Sequence, residues 1–133
     1  MITEMPPLFS AGEGAKLTEL WTNPSPTSAM GSASAINTTV NLNQSYDNFD
    51  FLRIEYVKST TEQTVVQTID IDPSIMTTDG TYRYAFGTGQ GIRYVYMPNA
   101  AHTTFEFGPA YGIYATTVSY TNVIPIKVYG VNV

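Results

Sequence analysis

Thr81-Tyr82-Arg83-Tyr84-Ala85-Phe86 and Ile92-Arg93-Tyr94-Val95-Tyr96-Met97, joined by Gly87-Thr88-Gly89-Gln90-Gly91, decide the fold class of this chain. Both flanks alternate with period two, so Tyr82, Tyr84 and Phe86 share one face of the first run and Ile92, Tyr94 and Tyr96 one face of the second. A five-residue connection with three glycines accommodates positive φ without steric cost, which is what a hairpin needs. The stretch reads as two neighbouring antiparallel strands.

The same period recurs along the chain. Ile36, Thr38, Val40 and Leu42 alternate with Asn37, Thr39 and Asn41, Leu52, Ile54 and Tyr56 with Phe51, Arg53 and Glu55, and Val65, Gln67, Ile69 and Ile71 with Val66, Thr68 and Asp70. That last run stops at Asp72-Pro73, where proline removes a ladder donor. Further strands are expected over 103–107, 111–120 and 123–131. Helical signal is confined to 72–78, one turn with Asp72 as cap and Pro73 at its first position. About eight or nine short strands punctuated by Gly, Pro and Asn predict an all-β fold, an antiparallel β-sandwich with jelly-roll-like connectivity. Residues 1–16, with Pro6, Pro7, Gly12 and Gly14, read as an extended N-terminal arm and a candidate docking element; 17–133 form a single domain.

Composition narrows the function. The chain has 133 residues, enough for one core. Charged residues are only 13% and the net charge is −5, with the six basic residues scattered singly. Nucleic acid and anionic membranes both call for a clustered basic face, so neither is an expected partner. Without cysteine there is no disulfide, thiolate nucleophile or Cys-based zinc site. The N-terminus has neither a basic n-region nor a long apolar stretch, so no signal peptide is expected, and no apolar run is long enough to insert in a membrane. Solubility resting on hydroxyls and amides rather than on ion pairs suits an extracellular or particle-surface β protein.

No enzymatic constellation stands out, and no cofactor is expected. Gly87-x-Gly89-x-Gly91 lacks the helix and the lysine of a nucleotide loop. His102 is the only histidine and reads as a loop residue. Asp70 and Asp72 could share a strand face and bind a cation or divide acid and base roles, but the simpler expectation has Asp72 capping a turn and Asp70 pointing to solvent. Tyrosine carries more promise: ten in the chain exceed what a small core needs. Tyr82, Tyr84, Tyr94, Tyr96, Tyr111 and Tyr114 are the candidate contact residues, whether for core, oligomer seam or ligand, because a tyrosine ring packs on apolar surface while its hydroxyl bonds outward.

Leu20-Trp21-Thr22-Asn23-Pro24-Ser25-Pro26-Thr27-Ser28, then Tyr46-Asp47-Asn48-Phe49-Asp50-Phe51-Leu52, then Ile124-Pro125-Ile126-Lys127-Val128-Tyr129-Gly130 resemble three segments of a β-domain met in phage and prophage virion proteins of gut Firmicutes. The resemblance spans about residues 17–133. It implies a non-enzymatic structural protein of the virion surface, as a tail-fibre or receptor-binding module or as a head fibre or capsid decoration. Implied partners are further copies of the chain, a homotrimer being favoured, other virion proteins, and host-surface glycans. The quoted residues themselves read as structural, with Trp21 a core anchor. The absence of a repetitive shaft upstream favours a small separate virion protein over a fibre tip. A cellular carbohydrate-binding module shares the sandwich and the exposed aromatics and is the alternative.

Overall fold

The computed structural model describes residues 15–75, 84–88, 91–96, 102–112 and 118–133. Among the described residues nine strands run in the order β1 (Lys16–Thr22), β2 (Thr38–Asn41), β3 (Phe51–Ser59), β4 (Gln67–Ile71), β5 (Tyr84–Thr88), β6 (Gly91–Tyr96), β7 (Thr104–Gly112), β8 (Val118–Ser119) and β9 (Asn122–Asn132). One sheet has the order β1-β9-β3-β4; the other has β2-β7-β6-β5, with β8 also against β7. Every pairing is antiparallel. The chain is an all-β sandwich. It changes sheets from β1 to β2 to β3 and again on the way to β9, while β3–β4 and β5–β6–β7 are successive antiparallel neighbours, a jelly-roll-like path.

Period two decides which side chains meet between the sheets. Leu52, Ile54 and Tyr56 of β3 and Val128 of β9 face Phe86 of β5, Val95 of β6 and Phe105 and Phe107 of β7. Trp21 packs on Phe107 with ring centroids 5.9 Å apart, so it anchors one margin of the core.

The segments that carry the resemblance are tied to one another. The Asn23 side-chain amide donates to the Pro125 carbonyl at 2.9 Å, and its backbone N–H to the Ile126 carbonyl. The Phe49 ring lies on Gly130, where a Cβ would come within 2.3 Å of ring carbon. Glycine is required there because the ring occupies the side-chain space.

Several boundaries differ from the sequence expectations. The hairpin pairs Gly87 with Ile92 and Thr88 with Gly91, so Gly87, Thr88 and Gly91 belong to strands and not to the loop; Gly89 and Gln90 fall outside the described residues. Segments 103–107 and 111–120 are not separate strands divided by Gly108-Pro109: β7 runs through both residues, because a bulge absorbs the proline. Val65 and Val66 lie outside β4 and are exposed. Tyr46 starts a 3-10 turn, Tyr46–Asn48, capped by Ser45, before β3 begins at Phe51. The turn after Asp72 is present as Pro73–Ile75, with the Ser74 N–H bonded to the Asp72 carboxylate. Lys16, assigned to the arm, opens β1; the arm's residues 1–14 fall outside the described residues.

Candidate functional site

In β6 the inward residues are Arg93 and Val95, both fully buried, which turns Tyr94 and Tyr96 onto the outer face of the sheet. β7 contributes the rest. Arg93 pairs with Ala110 and Val95 with Phe107, so three steps of β7 oppose two of β6, and the extra residue forms the bulge at Gly108-Pro109. Beyond the bulge Tyr111 lies opposite Ile92 and faces outward beside Tyr94, their rings edge to face at 6.3 Å. Ile36 and Asn37, just before β2, close the rim. The result is a hollow of about 400 Å³ lined by Ile36, Asn37, Tyr94, Tyr96, Gly108, Pro109 and Tyr111.

Its polar groups are arranged as a chain. The Asn37 amide donates to the Tyr96 hydroxyl at 2.7 Å, and that hydroxyl donates to Glu106 Oε1 at 2.8 Å. Tyr96 is thereby held in one orientation. Among the described residues the Tyr94 and Tyr111 hydroxyls have no hydrogen-bond partner, so both can bond outward. Gly108 makes the floor: a Cβ there would sit 3.8 Å from Tyr94 and from Asn37, ordinary contact distances. Aromatic faces, outward hydroxyls and an amide on a shallow floor can hold a neutral polyhydroxylated ligand by ring stacking and hydrogen bonds.

Arg93 supports this surface from beneath. Its guanidinium donates to the carbonyls of Val123 at 2.7 Å, Gly108 at 2.7 Å, Asn122 at 2.8 Å and Met30 at 3.3 Å. One side chain thus joins β6 to the β7 bulge, to β9 of the opposite sheet, and to the loop after β1. Burial pushes its pKa down to about 10, which still leaves a cation at neutral pH. Val123 takes a left-handed φ of 50°, rare for a β-branched residue, and presents its carbonyl to Arg93.

Three of the six expected tyrosines, Tyr94, Tyr96 and Tyr111, converge on the hollow. Tyr84 does not join them: it faces inward against the core, and burial raises its pKa. Tyr82 and Tyr114 lie outside the described residues. Asn37, Glu106 and Gly108 carry no local signal, since their role depends on strands paired far apart in sequence.

The other candidates have structural partners. Asp70 receives a two-pronged pair from Arg53, its direct cross-strand neighbour, at 2.7 and 3.0 Å, so it is not simply turned to solvent. Asp72 lies beyond β4, its carboxylate held below the ordinary range by hydrogen bonds from Ser74. The two therefore do not form a carboxylate pair. His102 stacks on Tyr46 at 4.7 Å and contacts the Asp47 carboxylate at 2.8 Å. Among the described residues no three Asp, Glu, His or Cys side chains gather to hold a metal ion, and no helix is long and apolar enough to cross a membrane.

A second hollow of about 480 Å³ opens beside Trp21, between the loop after β1 and the outer edge of β2. No family model matches the chain, and no curated protein matches it.

Proposed function

We propose that this chain is a non-enzymatic binding module of a phage particle surface, assembled as a homo-oligomer, a trimer being favoured, that contacts host-surface glycan through the tyrosine hollow. The observation that carries the reading is the convergence of Tyr94, Tyr96 and Tyr111 around the Gly108 floor, with the Asn37–Tyr96–Glu106 chain fixing one ring. The remainder of the surface agrees with it. Few charges and many hydroxyls favour neutral hydrogen-bonding partners, and the likeness of three segments to virion β-domains supplies the particle.

Glycan-array binding by the wild-type chain and by Tyr94→Ala tests the site. The wild type is expected to bind a neutral glycan. Tyr94→Ala is expected to lose that binding by tenfold or more, while stability changes by less than about 1 kcal/mol because Tyr94 is only half-buried. A wholly blank array, or binding indifferent to Tyr94, overturns the glycan role. Labelling intact particles with an antibody to the chain separates a virion protein from a cellular carbohydrate-binding module, which would use the same hollow.

A further inference from the structure

We propose that the groove beside Trp21 is a second binding site, which takes an extended, uncharged peptide strand of a partner protein and adds it to the outer edge of β2. The hydrogen-bonding phase of β2 carries the argument. The Leu42 N–H donates to the Thr103 carbonyl, continuing the β2–β7 register in which Thr38 faces Phe107 and Val40 faces Phe105. Antiparallel alternation then assigns the β7 ladder bonds to Thr38, Val40 and Leu42, and turns the N–H and C=O of Thr39 and Asn41 the opposite way, into the groove.

The residue that continues this outward set, Asn43, donates its N–H to the Leu20 carbonyl of β1. Past that point the edges separate, since Asn23 is drawn to β9 through Ile126 and Pro125. Among the described residues, neither Thr39 nor Asn41 takes a backbone partner on the groove side. β1 thus begins to pair with the β2 edge and leaves the next two positions open.

The chemistry of the walls selects the occupant. None of the described residues lining the groove is charged, so a charged segment would lose hydration there without gaining a partner among them. Trp21, Met30 and Val40 form an apolar recess between the sheets, suited to one side chain of an alternating strand. The edge also lacks the usual guards against pairing. β1 carries Lys16, Glu19 and a bulge, and β4 carries Asp70 and is followed by Pro73, whereas Thr38-Thr39-Val40-Asn41 has no charge, proline or bulge. Backbone donors and acceptors repeating every second residue match another strand, and this is the pattern of strand-addition recognition.

The test is a titration of the isotope-labelled full chain with a panel of uncharged, end-blocked Thr/Val/Leu hexapeptides, followed residue by residue through amide shifts and hydrogen exchange. The expected result is that the Thr39 and Asn41 amides shift and their exchange slows by tenfold or more, while Thr38 and Val40, already bonded to β7, change little. Peptides N-methylated at alternate residues are expected not to bind. Thr39→Pro removes an outward N–H without touching the β7 ladder, and should weaken binding about tenfold, the equivalent of one hydrogen bond. A wild-type-like amide spectrum of the free variant is the control that it folds. Equal binding of the N-methylated peptides overturns the proposal, as does the same response to a neutral oligosaccharide, or no response at about 1 mM of any peptide.

Discussion

The tyrosine hollow and the Trp21 groove both touch the β2-β7-β6-β5 sheet, yet they are made of different material. The hollow is built from side chains that period-two strands project from a sheet face, so its chemistry is that of rings, hydroxyls and an amide. The groove lies where a sheet edge stops being paired, so it adds the outward main-chain groups of Thr39 and Asn41 to the side chains of Trp21, Met30 and Val40. Side-chain surfaces suit ligands with their own shape; an open edge suits another backbone. The two share no described lining residue, so a ligand at one need not displace a ligand at the other.

Arg93 is what the two sites share. Its guanidinium holds the Gly108 carbonyl under the hollow and the Met30 carbonyl beside the groove. Arg93→Met leaves four carbonyls, three of them in buried bonds, without their donor, and is expected to cost about 4 kcal/mol in chemical denaturation and to disturb both sites together. Loss at one site with the other intact would break that common support.

Gly130→Ala probes the far side of the sandwich. The added methyl collides with the Phe49 ring, so about 2–3 kcal/mol of stability should be lost, with ligand binding at both sites unchanged once the variant is folded. A neutral outcome in denaturation would show that the ring moves freely.

Tyr46→Phe has the smallest effect at neutral pH, and an informative pH dependence. Burial raises the Tyr46 pKa to about 12, and among the described residues its hydroxyl has no partner. The folded chain thus keeps a proton that the unfolded chain loses near pH 10, and wild-type stability should fall as pH rises from 10 towards 12. The phenylalanine variant should gain about 1 kcal/mol at pH 7 and be spared part of the alkaline loss. Parallel stability–pH curves for the two proteins would contradict this.

The same contrast explains what the sequence revealed. Alternation is local, so the strands, the sandwich and the shared face of Tyr94 and Tyr96 were legible from spacing alone. Tyr111 was nameable as a tyrosine, but its facing depends on the bulge at Gly108-Pro109, and a Gly-Pro pair reads as a strand break. For Tyr84, alternation groups it with Phe86 and leaves core, seam or ligand open; only the second sheet decides that this face is the core. The burial of Arg93 had no signal at all, since its partners are carbonyls distant in sequence. The open edge of β2 was equally silent, because edges are created by strand order.

The central claim is that the hollow binds glycan through its tyrosines, and residue-resolved mapping of a bound glycan tests it most directly. The glycan selected on the array is titrated into the isotope-labelled wild type and into Gly108→Val, whose added side chain fills the floor from a position where a Cβ meets only ordinary contacts. The account predicts shifts centred on Tyr94, Tyr96, Gly108 and Tyr111 in the wild type, and their loss in the folded variant. Shifts centred on Thr39 and Asn41, or undiminished binding by Gly108→Val, would contradict it.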